Sequence, residues 1–438
     1  MEIYPVKGTH DLYEEEANLY RDIESRCIFV ASMFNYHEII TPIIEHTNLF
    51  VRGVGDSSDI VNKEMYTFDD KGGRSLTLRP ELTAGIMRSI VSNKLYANAD
   101  LPLKYFYLGP CFRYERPQAG RYRQFSQFGI EAIGVNSYLQ DAEVISIGYR
   151  ILYFLGLDNV KVYINSLGDE TSRANYRKAL KDYFAKHIDK MCGDCKRRYE
   201  VNPLRILDCK DPDDQEIIKG APKMSDYLTP EAKAYLNSII SLLKEIDIEV
   251  IQDDNLVRGL DYYTGVVFEY HAEKVEGLDD VGALGGGGHY AKLLAELGGP
   301  NLEGVGLAFG IERLAYVYKH TTDNDFNYGP DLYLMGMSQE IIDKNFSLAE
   351  LLRSNGFAVD TNYEVKSLKS LLKTAVKKNA RFALIMGENE VLSGQVTVKN
   401  LRTQEQTSIK LDDMIRVLKE MVISAHEEDG IAAAEVKN

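Results

Sequence analysis

The chain has 438 residues, 45% of them hydrophobic, and carries a net charge of −15. That length allows two or three domains with a large core, the apolar content excludes a mainly disordered chain, and no apolar run reaches the ~20 residues of a membrane helix. The charge excludes generic binding to a nucleic-acid duplex, whose phosphates would be repelled overall, so local basic patches must carry any RNA contact.

The N-terminal MEIYPVKGTHDLYEEE lacks the basic and apolar regions of a secretory leader, which makes a cytoplasmic protein the expectation. The segment NYHEIITPIIEHTNLF follows, apolar from Ile39 to Ile44. In SLTLRPELTAGIMRSIVSNKL the residues Arg79, Glu81 and Thr83 alternate just before a helical pattern that begins near Ala84, and Pro80 fits an edge strand or a loop. Two readings stand together here: either Thr83 caps the helix with Glu81 at its positive end, or these side chains face a ligand.

The stretch KYFYLGPCFRYERPQAGRYRQFSQFGIEAIG reads as two strands joined by a polar, basic turn. Alternation puts Arg113 and Glu115 on one face of the first run, and Arg123, Phe125, Gln127 and Glu131 on one face of the second. Paired as a hairpin, they would give one side of a sheet arginines, carboxylates, an amide and an aromatic ring. A solvated surface explains any one of these residues alone. Glu131, however, sits between Ile130 and Ala132, and a buried carboxylate without a partner costs several kcal/mol, so a ligand with a positive group suits it.

Residues 170–252 read as a helical, charged insertion that contains DCKDPDD. The five cysteines are Cys27, Cys111, Cys192, Cys195 and Cys209, an odd number that suits a reducing compartment. Cys192 and Cys195 have zinc-like spacing and Cys209 is a possible third ligand, but His187 is the only histidine close in sequence. Structural zinc nearly always has four ligands, so the cysteines are read as unliganded and no metal is expected on protein ligands alone.

In LVRGLDYYTGVVFEY, Arg258, Asp261, Tyr262 and Tyr263 surround Gly259, and a strand begins near Val266. Adjacent residues of an extended chain face opposite ways, so at most one of the two tyrosines should line a pocket. Gly282 and Gly285 to Gly288 precede His289 and Tyr290, where bare backbone allows close approach of a ligand or strand. GVGLAFG spaces its glycines as G-x-G-x-x-x-G, with no acidic residue closing a βαβ unit and no Walker lysine, which disfavours an NAD-binding oxidoreductase. Arg313 then opens a helix, where a cation opposes the dipole and needs another partner, phosphate being one candidate.

After TTDNDFNYGPD, the segments DLYLMGM, FAVDTNY and FALIMG read as apolar strands separated by helical patterns, an α/β unit over residues 330–425 with a partly parallel sheet. Lys366, Lys369, Lys373 and Lys377 recur at helical spacing, either as an RNA-binding patch or as a solvated face. Residues 426–438 read as a flexible tail.

The TLRPE segment, the FRYERPQAGRYRQF hairpin, RGLDYYTG and GLAFGIERL together resemble histidyl-tRNA synthetases, class II aminoacyl-tRNA synthetases, in the same order along the chain. The hairpin and GLAFGIERL specify the class, and RGLDYY narrows it to histidine. The resemblance implies an α+β catalytic domain over residues 1–325, built on an antiparallel sheet flanked by helices and interrupted by the insertion, then an anticodon-binding domain. It implies a homodimer through NYHEIITPIIEHTNLF, with histidine, ATP and histidine tRNA as substrates and Mg2+ accompanying the ATP. Histidine would be activated to its adenylate and then transferred to the 3′ terminal adenosine of the tRNA.

Carried over by resemblance, Arg113 contacts the α-phosphate and Phe125 stacks on adenine, with Glu115, Arg121 and Arg313 completing the ATP site. Glu81, Thr83 and Gln127 take the amino and carboxylate ends of histidine, Glu131 and Tyr263 read its ring with Tyr290 close by, and Arg258 is the catalytic arginine. The basic turn with Arg116, Arg121 and Arg123 would approach the acceptor end of the tRNA. The chain departs from the family pattern at the glycine loop, where arginine usually precedes the tyrosine and aspartate follows it; here the residues are His289, Tyr290 and Ala291. Val266 also stands where the family commonly has threonine. Regulatory relatives that bind without charging tRNA are disfavoured, because Arg113, Arg258, Arg313 and the C-terminal unit are all present.

Overall fold

The computed structural model describes residues 3–55, 58–97, 99–258, 260, 262–272, 282–322, 326–387, 390 and 393–428. They fall into two compact units that divide between residues 322 and 326.

The first unit opens with α1 (Glu14–Met33), whose first turn holds Glu14, Glu15 and Glu16 at the positive end of the helix dipole. Leu19, Ile23, Cys27 and Val30 recur on its buried face. After β1 (His37–Glu38), a small antiparallel sheet forms from β2 (Ile44–His46), β3 (Tyr66–Asp69) and the central β4 (Ser75–Leu78). Helices α2 (Thr47–Val54) and α3 (Thr83–Ser92) accompany it.

The expected hairpin is β5 (Leu103–Phe112) and β6 (Gln124–Ile133), paired antiparallel along their whole length. Helix α4 (Tyr138–Phe154) and β7 (Val160–Ser166) follow. The segment from 170 holds α5 (Glu170–Phe184), α6 (Gly193–Val201), α7 (Pro212–Ile218) and α8 (Pro230–Glu245), and ends at β8 (Val250–Gln252). Last come β9 (Val266–Ala272), β10 (Ala283–Tyr290), α9 (Leu293–Glu296), β11 (Gly304–Gly310) and α10 (Ile311–Thr321). The large sheet runs β1-β5-β6-β11-β10-β9-β7-β8. It is antiparallel from β5 to β7, with a parallel pair at each edge.

The two faces of this sheet differ in side-chain size, and that difference positions the site. One face carries Phe128, Ile130, Phe268, Tyr270 and Phe309, all buried, and packs against α1, α4 and α10. The other carries Gly129, Gly286, Gly288, Gly306 and Ala308 on adjacent strands, so it holds a hollow rather than a core. Val266 begins β9 and is buried, as expected of an apolar replacement for threonine there.

The second unit has a sheet ordered β13-β12-β14-β15-β16, from β12 (Leu332–Met335), β13 (Val359–Thr361), β14 (Phe382–Ile385), β15 (Gln395–Asn400) and β16 (Gln406–Lys410). The three apolar segments read from the sequence are the parallel strands β13, β12 and β14. Two antiparallel strands, less apolar in sequence, complete the sheet. Leu332, Leu334 and Leu384 pack into one core while Tyr333, Met335 and Ile385 pack into another, so these strands are covered on both faces. Lys369, Lys373 and Lys377 lie exposed along the helix Leu368–Lys377. Lys366 precedes that helix, since Ser367 caps it, and pairs with Glu364 at 3.5 Å. The last helix runs to Glu428, past the boundary expected at 425, and residues 429–438 lie outside the described ones.

His289 answers the departure at the glycine loop. It leaves β10 on the packed face, buried, with Nδ1 3.0 Å from Asp141 on α4 and Nε2 2.7 Å from Glu303. Burial opposes its charge, but the hydrogen bonds to Asp141 and Glu303 outweigh that and lift its pKa from 6.5 to about 9. The imidazolium therefore supplies the positive charge that an arginine would bring. A raised pKa stabilises the fold fully below the unfolded value and ceases to do so as pH rises through the folded one. The stability difference between the parent protein and His289→Gln, measured by urea unfolding, should be greatest below pH 6.5 and shrink by up to about 3 kcal/mol as pH passes 9. A difference that stays constant over this range would show that His289 is neutral in the fold.

Candidate active site

The hollow continues into a cavity of about 1020 Å³. Every site residue taken from the sequence lines it: Glu81, Thr83, Arg113, Glu115, Arg121, Phe125, Gln127, Glu131, Arg258, Tyr263, Tyr290 and Arg313. They come from the loop before α3, the β5–β6 hairpin, the loop before β9, the end of β10 and the first turn of α10. Asp261 lies outside the described residues.

Glycines on the floor make room for large side chains that lie across it. A Cβ on Gly306 would collide with the Glu131 carboxylate, and one on Gly129 with the Tyr107 hydroxyl. Glu131 is 2% exposed. Its Oε1 accepts from Thr83 Oγ1 at 2.7 Å and from the Tyr107 hydroxyl at 3.4 Å, and its Oε2 accepts from the Tyr290 hydroxyl at 2.7 Å. Burial pushes its pKa up to about 8, against the pull of those donors.

Of the alternatives at the start of α3, the helix-start role belongs to Glu81. Its carboxylate accepts from the backbone N–H of Thr83 at 2.7 Å and of Ala84 at 2.8 Å, so Glu81 rather than Thr83 satisfies the start of α3. The Thr83 hydroxyl is thereby left to bond Glu131. Arg79, the third member of the alternating trio, turns into the protein and donates to Thr41 O at 2.9 Å and Pro110 O at 2.8 Å. Gln127 Oε1 accepts from the Cys111 thiol at 3.4 Å.

The arginines are anchored separately. Arg113 donates from Nε to Pro80 O at 2.8 Å, and its guanidinium lies 5.2 Å from the centroid of the Phe125 ring. Glu115 lies between Arg113 and Arg121, at 3.8 and 3.9 Å. Arg313 donates to Ala283 O, so the cation at a helix start finds a carbonyl as its partner. Burial foremost, with Arg121 nearby, lowers its pKa to about 10. Arg258 is paired with Glu269, whose other oxygen is 2.9 Å from His271 Nε2. Arg258 Nε is buried without a hydrogen-bond partner among the described residues.

Two expectations from strict alternation fail. Arg113, Glu115 and Arg123 lie beyond the ends of β5 and β6, and a Glu115 N–H to Arg113 O bond curls the chain there. Arg113 N–H still donates to Arg123 O at 2.9 Å, continuing the hairpin register by one step, and it is Glu115 that the turn places. Tyr262 and Tyr263 are not extended either: their rings lie 4.6 Å apart and both line the cavity, Tyr262 being also part of the core behind it. The sequence reading missed Tyr107, Glu269, His271 and Glu312. Glu269 and Tyr107 had the same signature as Glu131, polar groups at alternate positions of apolar strands. Glu312 is 6% exposed; its Oε1 accepts from Ser126 N at 2.8 Å, Oε2 has no partner among the described residues, and burial raises its pKa to about 7.

With that geometry in place, the comparisons with known proteins fall into line. The family described as Histidyl-tRNA synthetase matches residues 8–314, and the Anticodon binding domain family matches residues 331–421. The histidine–tRNA ligase of Bacillus licheniformis is 47% identical over 414 residues, 94% of this chain and 97% of that protein. That of Bacillus subtilis is 45% identical over 414 residues, 94% of this chain and 97% of that protein. The solved apo histidyl-tRNA synthetase of S. aureus superposes with a TM-score of 0.81 at 36% identity, covering 95% of this chain and 100% of that one. The chain therefore belongs to the histidyl-tRNA synthetase family, with the catalytic and anticodon-binding families matched in succession along it.

Proposed function

We propose that arginines from three separate stretches, Arg113, Arg258 and Arg313, gather ATP beside a carboxyl group that reads the histidine ring. As a histidyl-tRNA synthetase the chain uses ATP to activate histidine and then charges its tRNA for translation. The observation that carries the residue assignment is the sharing of one cavity by these arginines and the buried Glu131.

In the first step a histidine carboxylate oxygen attacks the α-phosphorus in line, a P–O bond forms, and pyrophosphate leaves as the α–β bridging bond breaks. Charge develops on phosphoryl oxygens, so positioning and placed cations do most of the work. Arg113 and Arg258 clamp the α-phosphate from two sides, the planar guanidinium bonding two oxygens and keeping its charge. The Nε of Arg258, without a hydrogen-bond partner among the described residues, supports this role, and Glu269 holds the side chain in place. Adenine stacks on Phe125, while Glu115, Arg121 and Arg313 complete the nucleotide site. Magnesium suits the site, since it takes one or two carboxylates together with phosphate oxygens and Glu312 Oε2 is a buried carboxylate oxygen without a partner among the described residues. When bound with ATP it would neutralise the β and γ phosphates.

For the amino acid, Glu81, Thr83 and Gln127 take the α-amino and carboxylate ends. Thr83, Tyr107 and Tyr290 fill three of the roughly four acceptor positions of the Glu131 carboxylate, which leaves one for an imidazole N–H. The hydroxyl of Tyr263 answers the bare ring nitrogen. Paired polar groups of this kind reject analogues that cannot bond, often by roughly 10⁴-fold or more.

Ile40, Ile43 and Ile44 are 81%, 41% and 47% exposed in the NYHEIITPIIEHTNLF segment, which supports a homodimer formed there. The five cysteines are free, as suits the cytoplasm. Among the described residues no helix is long and apolar enough to cross a membrane.

Amino-acid-dependent ATP–pyrophosphate exchange, run with each amino acid in turn, tests the whole reading, and only histidine should support it. Arg258→Ala should retain the fold by circular dichroism and lose about 10²-fold or more of the exchange rate, comparable to removing one transition-state donor. Near-normal exchange would remove Arg258 from the reaction. Glu131→Gln should raise the histidine KM by about 10-fold, as for a lost hydrogen bond in a buried site, and leave that for ATP unchanged. Unaltered discrimination among amino acids in this variant would refute the ring-reading role. Sedimentation should give twice the chain mass; an active monomer would contradict the dimer.

A further inference from the structure

The insertion brings together a second set of functional side chains, none of them among those that line the cavity. Cys192 precedes α6, Cys195 lies in its first turn, Cys209 follows the 3-10 turn Pro203–Asp208, and Asp214 lies in the first turn of α7. One donor atom from each lies within 4.8 Å of all the others. The fourth donor that sequence spacing did not reveal is thus a carboxylate supplied by the next helix. His187, the histidine considered for that place, instead packs its ring 5.1 Å from that of Tyr183.

We propose that Cys192, Cys195, Cys209 and Asp214 bind one structural zinc ion. Two of the donor separations match those of a tetrahedral zinc site, and all lie within 4.8 Å. With Zn–S about 2.3 Å and Zn–O about 2.0 Å, tetrahedral coordination sets sulfurs roughly 3.8 Å apart and sulfur to oxygen roughly 3.5 Å. Cys192 Sγ and Cys209 Sγ are 3.8 Å apart, and Cys209 Sγ is 3.3 Å from Asp214 Oδ2. Three of the four residues are buried and Cys192 is half-buried, so the group is closed in the manner of a structural site.

The surroundings also fix the donors. Cys195 N–H donates to Cys192 Sγ at 3.4 Å, and Cys192 N–H lies 3.2 Å from each oxygen of Asp214, so backbone groups orient two ligands as a second shell does. Binding releases the three thiol protons and leaves three thiolates and a carboxylate around Zn2+, a net charge of −2 that calls for cations nearby. Arg198 lies three residues after Cys195 on α6, on the same side of the helix. Thiolate-rich tetrahedral sets favour zinc over harder divalent ions.

A metal here would join α6, the 3-10 turn and α7 into one body. That body reaches two other places. Arg197 and Arg198 bond Asp59 at 2.9 and 3.1 Å, and Arg198, Asp208 and Lys210 line the main cavity.

The test uses the full chain, purified without chelator and dialysed. Metal analysis should return roughly one zinc per chain. Replacement by Co2+ should give the strong visible absorption of a tetrahedral thiolate site, with a sulfur-to-cobalt band in the near ultraviolet. Asp214→Asn, which preserves shape, and Cys195→Ser should each lower zinc content at least about five-fold, since every ligand of a four-coordinate site is needed. Less than about a tenth of an equivalent of zinc in parent protein prepared with zinc present, or a cobalt titration without the tetrahedral spectrum, overturns the proposal. So does iron in place of zinc, or a thiol count showing Cys192 and Cys209 joined as a disulfide. The metal and cobalt readouts on the parent protein need no variant to fold, and they are independent of the histidine and ATP assignments.

Discussion

Glu131 is buried on the floor of a sheet, and taking a carboxyl group out of water costs several kcal/mol unless donors replace the water. Much of the first unit follows from meeting that demand. The hydroxyls come from three directions, Thr83 at the start of α3, Tyr107 on β5 and Tyr290 at the end of β10. Room for them exists because the facing positions of β6, β10 and β11 are glycine or alanine. A larger residue at Gly129 or Gly306 would occupy the place of the tyrosine hydroxyl or of the carboxylate itself. The glycine-dense segments are therefore read better as the absence of side chains at the floor than as phosphate-binding loops.

The same sheet explains why the site and the core do not compete. Side chains alternate across a strand, so one run of residues can be aromatic on the packed face and small on the other. β11 does this with Leu307 and Phe309 against Gly306 and Ala308. His289 and Tyr290, adjacent in β10, divide the two tasks: Tyr290 serves the floor, and His289 ties the packed face to α4 through Asp141. An arginine-to-histidine exchange at such a position keeps its charge because two carboxylates surround the ring.

Period-two patterns made the hairpin legible, with the side-chain face of Gln127 and Glu131, and three apolar runs made the parallel strands of the second unit legible. What the pattern could not supply was geometry at chain reversals. Glu115 and Tyr263 line the cavity although no strand orients them, and the curl that places Glu115 is a turn hydrogen bond that one sequence does not display. Partners that are distant in sequence were equally hidden. Nothing near Arg258 announces Glu269, which reaches it across the loop before β9, and nothing near Cys192 announces Asp214 as a fourth donor.

Charge placement shows how a chain with an excess of acidic residues can still present a phosphate-binding cavity. Three arginines of the site have a local anchor that fixes them without cancelling them fully: a carbonyl for Arg313, a carbonyl for Arg113 with Glu115 3.8 Å away, and Glu269 for Arg258, shared with His271. Carbonyl anchors hold a guanidinium by one N–H and leave its net charge for a ligand, whereas a carboxylate anchor neutralises it in part. Arg258 differs from the other two in being hydrogen-bonded directly to a carboxylate, whereas Glu115 lies 3.8 Å from Arg113. Glu269 divides its oxygens between Arg258 and His271, which weakens its hold on either, and a nucleotide arriving at the cavity would meet an arginine already oriented but only partly satisfied.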